Sequence, residues 1–426
     1  LNVAAWTTPT RAGLVKPSRP NPYAATLVRK RPSLDFSVSG LVYSSMMMFM
    51  GLAALNSQAN LLFGVFGLMI GVLMFSLMFS KLVVRRLSVR RTLPDQAFVG
   101  RPCAITYEIT NTKRFWPSMS VTLSEIDGVD AFVRQPHAYM LHAAPGMTAT
   151  VPAEVLPRRR GAFRLGQFQL STSFPFGFVK RAIDQRQPDT LLVFPALGEV
   201  NPRLLHLFRS AESSGMMMRP RAGGDDEFYG LKEYRSGESP KRIYWRRSAR
   251  TGTLLVREMT HISPPRVLLL VDTYVAEQSS ERLTAIERAV AMAASIGSRA
   301  LDEGLPVGLF AFNRDGFVNI PANRGKRHRR DLLTALARLP VNRECDASQL
   351  MSAARSALDS RTTVVLLTPD ETVSMPNDSA RLALMTLSGH PRYDGQWVKF
   401  PTGLDFAQAL PLDANVLISS STRDRG

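Results

Sequence analysis

The sequence predicts a multidomain membrane protein: a two-helix transmembrane hairpin, an antiparallel β-sandwich-like domain, then a doubly wound α/β domain. Three observations carry this. Residues 36–80 contain no Asp, Glu, Lys, Arg or His. Residues 82–196 alternate loosely between apolar and polar side chains, in short runs divided by turn residues. Beyond Pro264-Pro265, apolar strand-like runs alternate with amphipathic helical ones. At 426 residues the chain has room for a hairpin and two domains.

The first 35 residues are polar, basic and rich in proline, which predicts a disordered tail. The charge-free run follows. Asn56-Ser57-Gln58-Ala59-Asn60 divides it into spans 36–55 and 61–80. Each is about 20 residues long, the length a helix needs to cross the hydrocarbon core. A buried hairpin of a soluble protein is the alternative, but so long a charge-free run is rare in soluble folds. A secretory signal peptide fits poorly, because the run is too long and a second span follows at once. Arg11, Lys16, Arg19, Arg29, Lys30 and Arg31 precede the hairpin, and Lys81, Arg85, Arg86, Arg90 and Arg91 follow it. Positive residues stay on the cytoplasmic side. The expectation is therefore a two-pass protein of a bacterial inner membrane with both termini cytoplasmic. Gly67 and Gly71 form a small-xxx-small pair, expected to pack on the first span, with dimerisation through this face as the alternative. The seven methionines of the hairpin are expected to face lipid or fill packing gaps.

Residues 81–200 form the expected β-domain. Its strands are Cys103–Thr110, Met119–Glu125, Thr148–Val155, Gly161–Ser171, Phe178–Ile183 and Thr190–Phe194. Asn111, Asp127-Gly128, Pro145-Gly146, Pro157, Pro175 and Gly177 punctuate them, as in an antiparallel sandwich. Arg158-Arg159-Arg160 is expected to be a solvated or membrane-facing edge. Residues 201–262 read as a linker followed by a dense charged and aromatic stretch, Gly223–Met259.

Residues 263–426 form the α/β domain. Arg266–Asp272, Leu305–Phe312 and Thr363–Thr368 read as buried strands. Ser279–Asp302, Arg330–Leu339 and Ala347–Asp359 read as helices. The alternation predicts a largely parallel sheet, whose ligands sit beyond the carboxyl ends of its strands. Asp272 and Asp370 both fall there.

The formal net charge is +18, part of it in the hairpin's flanks. Further clusters at Lys241–Arg250 and Lys326–Arg330 suit anionic lipid, nucleic acid or an acidic protein, and charge alone does not choose. Cys103 and Cys345 have no disulfide or metal spacing, as suits a reducing cytosol.

The stretch Gly223–Met259 contains Asp226-Glu227-Phe228, Leu231-Lys232-Glu233-Tyr234, Gly237-Glu238, Arg242-Ile243-Tyr244-Trp245, Ser248-Ala249-Arg250 and Leu255-Val256-Arg257-Glu258. With these motifs at this spacing it resembles the signature of the bacterial domain-of-unknown-function family fifty-eight. Arg160-Gly161, Leu165-Gly166 and Pro175-Phe176-Gly177 extend it into the β-domain. The order of parts is also similar, covering nearly the whole chain from residue 36. The resemblance implies a von Willebrand factor type A-like C-terminal domain and a partnership with MoxR-type AAA+ ATPases in assembling or maturing other complexes. It implies Asp226, Glu227, Tyr234, Arg242, Trp245, Ser248 and Arg250 as candidate partner-binding residues.

A type A domain often holds Mg²⁺ through a DxSxS turn, a Thr and a later Asp. Here Asp272 keeps the first position, Tyr274 and Ala276 replace the serines, Ser348 stands for the Thr, and Asp370 stands for the last Asp. Two hydroxyls are missing from the oxygen shell Mg²⁺ needs. The expectation is a degenerate site and no cofactor.

No GxSxG elbow and no GxxxxGK[ST] loop occurs, and the six histidines form no metal-ligand pair. The leading expectation is thus a non-enzymatic, membrane-anchored adaptor or scaffold. One alternative is a membrane-proximal hydrolase or transferase using Asp225, Asp226 and Glu227 as acid–base groups. Another is an anionic-lipid or nucleic-acid binder using Tyr244, Trp245, Arg246, Arg247 and Arg250. The interleaved acids and the membrane anchor weigh against nucleic acid. Homo-oligomerisation is left open.

Overall fold

The computed structural model describes residues 33–57, 59–210, 222–235, 240–260, 266–276, 279–355, 362–370, 384–389 and 397–407. The N-terminal tail to residue 32 lies outside them.

Strand β1 (Ser33–Phe36) leads into helices α1 (Val38–Ser57) and α2 (Asn60–Val84). Both helices are long and apolar enough to cross a membrane, and only 17% and 6% of their most apolar windows are buried. That exposure is consistent with helices that cross a membrane. The hairpin's bounds differ from the expected ones at both ends. Ser33–Phe36 is not tail but pairs antiparallel with Val179–Ala182 of the β-domain. The far end of α2 runs past Ser80 because its last turn is held: Val83 and Val84 enter the β-domain core, and Lys113 Nζ donates to the carbonyls of Leu82 (2.9 Å) and Val83 (2.8 Å). A cation on those carbonyls satisfies groups that a helix end leaves orphaned. Between the helices, Tyr43 O–H donates to Met69 O at 3.0 Å, and Gly51 admits the Phe66 ring. Gly67 and Gly71 do not pack on α1 as expected. A Cβ at either, or at Gly64, meets nothing within 4 Å among the described residues.

The β-domain comprises β2 (Leu87–Thr92), β3 (Ala97–Phe98), β4 (Cys103–Asn111), β5 (Ser118–Glu125), β6 (His137–Ala143), β7 (Thr148–Val155), β8 (Gly161–Thr172) and β9 (Val179–Phe194). One sheet runs β1-β9-β8-β5-β6, with β3 on β9, and the other runs β2-β4-β7. All pairings but β3–β9 are antiparallel. Ile105, Tyr107 and Ile109 from one sheet meet Val121, Leu123, Phe168 and Leu170 from the other in a single core. The two strands expected at Phe178–Ile183 and Thr190–Phe194 are one 16-residue strand. A bulge opposite Gly166 absorbs the irregularity, between the pairs Leu165–Asp189 and Gln167–Arg186.

Two arginines assigned to surfaces are buried. Arg91, counted among the hairpin's flanking charges, donates from Nη1 to Glu125 Oε2 (2.6 Å) and from Nη2 to Leu165 O (2.7 Å) inside the sandwich. Arg160, expected on an open edge, pairs with Glu287 of the α/β domain and donates to Leu339 O (2.8 Å).

Strand β10 (Glu199–Val200) and helix α3 (Pro202–Ser210) follow, then β11 (Ala222–Glu233), α4 (Trp245–Thr251) and β12 (Leu255–Thr260). The rest comprises β13 (Arg266–Val271), α5 (Ser280–Asp302), β14 (Val307–Asn313), β15 (Gly316–Asn323), α6 (Lys326–Arg338), α7 (Ala347–Ala354), β16 (Thr362–Thr368), β17 (Leu384–Ser388) and β18 (Val398–Lys399). The main sheet has order β15-β14-β13-β16-β17, parallel except for β15. Val267, Leu269 and Val271 face a core completed by α5 and α6, whereas Leu268 and Leu270 face Leu350 and Ala354 of α7. Burial on both faces explains why these strands read as continuous apolar runs. Leu204, Leu205 and Phe208 of α3, expected as linker, are buried in the first of these cores, and β10 pairs with β18.

Candidate functional site

Two regions hold the candidate residues. The first is the motif stretch. Strands β11 and β12 pair antiparallel from Phe228–Met259 to Glu233–Leu255. The segment between them contains a 3-10 turn at Pro240–Arg242 and helix α4. Ser248 is buried and ties α4 to the strand: its Oγ donates to Tyr244 O (3.1 Å) and accepts from Leu255 N (2.8 Å). The backbone N–H of Tyr244 donates to Leu255 O, and that of Tyr234 to Leu254 O, each at 2.8 Å. The Arg257 guanidinium lies 4.4 Å from the Tyr244 ring centroid. Gly252 ends α4 at φ 72°, a left-handed conformation that favours glycine.

The candidates therefore divide by role. Ser248 is part of the scaffold, and Tyr234 is half-buried beside it. Trp245 is 63% exposed, with Arg246, Arg247 and Arg250 exposed on the same short helix and Leu254 exposed after it. Asp225, Asp226 and Glu227 occupy backbone positions in β11, and Arg242 ends the 3-10 turn. Their side chains lie outside the described set.

The second region is the carboxyl end of the parallel sheet. Asp272 follows β13 and is 2% exposed. Its Oδ1 accepts from Tyr274 N and its Oδ2 from Thr368 Oγ1, both at 2.9 Å. Burial pushes its carboxyl up to about 6, and nearby Asp370 adds to the rise, while the two hydrogen bonds and Arg282 oppose it. Thr368 Oγ1 also accepts from Asp370 N at 3.2 Å, linking the two aspartates. Asp370 is gripped by Arg282 of α5, with Nη1–Oδ1 at 2.9 Å and Nη2–Oδ2 at 3.1 Å. Arg282 Nε further donates to Tyr274 O at 3.3 Å. Ser348 donates to Asp346 Oδ1 (2.8 Å), and Asp346 caps α7 through Gln349 N. Asp272 and Asp370 are thus linked through Thr368, whereas Ser348 is engaged in a helix cap.

The residues present fit Mg²⁺ poorly: the Arg282 guanidinium already holds both oxygens of Asp370 and supplies the positive charge there, and Tyr274 and Ala276 stand where hydroxyl ligands would be. Among the described residues no three His, Cys, Asp or Glu side chains are grouped to hold a metal. Cys345 nearby has its thiol pushed up, chiefly by burial and further by Asp346 and Asp272, which opposes thiolate chemistry. Thr368 and Arg282 were not singled out in the sequence. Thr368 stands two residues before Asp370, a readable spacing, but Arg282 meets Asp370 across 88 residues.

Among curated proteins no sequence matches this chain. A family model described as "Protein of unknown function DUF58" matches residues 230–383. The match takes in most of the motif stretch and the sheet as far as β16, while Asp226-Glu227-Phe228 and the β-domain motifs lie before it. On that match, residues 230–383 of this chain are a region similar to the DUF58 family.

Proposed function

We propose that this chain is a non-enzymatic, membrane-anchored adaptor at the cytosolic face of a bacterial inner membrane. Its hairpin crosses the bilayer twice with both ends cytoplasmic. Its C-terminal sheet is of the von Willebrand factor type A kind, and the surface around α4 docks a protein partner, a MoxR-type AAA+ ATPase. The observation that carries the reading is Trp245. It is a large aromatic held in water beside three exposed arginines, on a helix that Ser248 fixes rigidly. Exposed Trp and Arg on a pre-formed support are the residues that most often dominate protein interfaces. The sheet end supports an adaptor over a cation-dependent binder, because Arg282 supplies the positive charge that neutralises Asp370. No cofactor enters this account.

The test is recovery of the full chain from detergent-solubilised membranes with its bound proteins. An AAA+ ATPase retained by the wild type and lost from Trp245→Ala supports the reading. Equal recovery from both variants, or none from either, contradicts it.

A further inference from the structure

The β-domain carries a second exposed aromatic surface, formed by two of its loops alongside the hairpin. Phe115 is 74% exposed, Trp116 51% and Phe176 48%. Each loop leans on a helix. The Trp116 ring meets Phe79 of α2 edge-on at 5.8 Å. Phe176 lies 6.3 Å from Phe75 of the same helix and 5.7 Å from Phe178, which stacks on Tyr43 of α1 at 4.2 Å. An apolar groove of about 260 Å³, lined by Leu68, Gly71, Val72, Phe75 and Phe176, opens between the second loop and α2.

The loops are fixed against the hairpin. Ser37 N donates to Phe178 O at 3.1 Å, and a Cβ at Gly40 would come within 2.0 Å of that same oxygen, so only glycine admits the approach. Lys113 anchors the other loop to the end of α2. The β-domain and the hairpin therefore share one edge that cannot separate without breaking these contacts.

Helix geometry sets the depth. Phe75 lies about 22 Å along α2 from Asn60, and Phe79 about 28 Å, at 1.5 Å per residue. The hydrocarbon core is about 30 Å thick. With Asn60 at the far boundary, Trp116 falls at the near boundary, where Trp is favoured. Phe176 falls about 8 Å inside it, by the same rise. Exposed Lys81, Arg85, Arg86, Arg114 and Lys180 sit around this edge, where anionic headgroups would lie.

We infer that the loops 113–117 and 174–178 of the β-domain are immersed in the bilayer beside the hairpin, Trp116 at the headgroup boundary and Phe176 within the hydrocarbon, with a lipid acyl chain in the groove that Phe176 closes. This rests on the hairpin reading above and deepens it: the bilayer holds the β-domain directly, and the domain is not suspended on a linker. Continuity of the loops with two lipid-length apolar helices commits the surface to lipid rather than to a second copy of the chain.

The test uses the full chain reconstituted in phospholipid vesicles, as variants that each hold one tryptophan. Trp6, Trp245 and Trp397 are changed to Phe to leave Trp116. Phe176→Trp and Leu68→Trp are made separately with all four native tryptophans changed to Phe. Lipids brominated high on the acyl chain are expected to quench Trp116 and Phe176→Trp strongly, because aromatics at this depth lie beside those bromines, while aqueous acrylamide quenches them weakly. Leu68→Trp, nearer mid-helix, reports the hairpin and should respond to deep bromines. Quenching of Leu68→Trp without quenching at 116 and 176 overturns this inference and leaves the hairpin reading intact. Loss of quenching at all three positions overturns both. Emission at 116 and 176 shielded from bromine and acrylamide alike, with a dimer in light scattering, assigns the surface to a second copy and also overturns it.

Discussion

Phe176 and Trp245 are similarly exposed, at 48% and 63%, and differ in everything around them. Phe176 stands among Leu68, Val72 and Phe75 on an apolar helix, with cations only at the rim. Trp245 stands among Arg246, Arg247 and Arg250 on a short helix at the far end of a strand pair. The contrast teaches that an exposed ring does not name its solvent; its neighbours do. A ring continuous with apolar surface suits hydrocarbon, where nothing needs hydrogen bonding. A ring among guanidinium groups suits a protein surface that supplies carboxylates to them.

The comparison assumes that both surfaces belong to one body, and the sharpest way to break it is to cut what joins the domains. Arg160 and Glu287 are buried between them. Arg160→Met would strand the carboxylate in a place where burial already pushes Glu287 upward against the pull of the arginine. Removing one partner of a buried pair costs about 3–5 kcal/mol. Chemical denaturation of the detergent-solubilised chain should register that loss. Arg160→Met with Glu287→Leu should recover much of it, because neither charge is then left alone.

Trp245→Ala should lower the affinity for the partner by tenfold or more, equivalent to about 1.4 kcal/mol or more for a central anchor. The melting temperature should not move, since the side chain leaves little packing behind. A fall in both would assign Trp245 to the fold instead.

Asp272 offers a test by pH. Its folded pKa of about 6 lies above the value near 3.9 expected in the unfolded chain. The folded state then binds the proton more tightly, so the contribution to stability is full below about pH 4 and is lost as pH rises through 6. Asp272→Asn should abolish this part of the decline, about 2 kcal/mol between pH 4 and 6.5 by linkage. Urea titrations of both proteins across that window measure the difference, and parallel pH profiles would contradict the assignment.

The smallest expected effect is at Ser248. Ser248→Ala removes the acceptor for Leu255 N, worth about 1–2 kcal/mol for a buried group left unsatisfied. Amide exchange across α4 and β12 should speed up while the core of the main sheet keeps its protection. Partner affinity should fall less than with Trp245→Ala, because the contact residue is still present.

The two surfaces also differ in how far they could be read from the sequence. The hairpin was legible because an unbroken charge-free run is a local property. So were the strands Arg266–Val271 and Thr362–Thr368, whose burial on both faces leaves continuous apolar runs. Arg91 and Arg160 were misplaced because their partners, Glu125 and Glu287, lie 34 and 127 residues away. A basic residue's burial depends on that distant carboxylate, and no local pattern contains it. Strands β2 and β6 were overlooked because a charged residue faces inward in one, Arg91, and apolar residues face outward in the other, Tyr139 and Leu141, which breaks the alternation. At the sheet end the two aspartates were placed from spacing alone, whereas the arginine that occupies one of them comes from another element. In the motif stretch the residue types were legible but not their division into Ser248 as support and Trp245 as exposed contact, which only the fold provides.

The central claim is that this chain holds a partner at the membrane through the surface around Trp245. The most direct measurement is titration of a purified MoxR-type AAA+ ATPase against the full chain in lipid nanodiscs, following binding and ATP turnover together. Saturable binding that changes turnover, and that weakens tenfold or more with Trp245→Ala by the hot-spot estimate, is the result the account predicts. Absence of binding, with turnover unchanged by either protein, would contradict it.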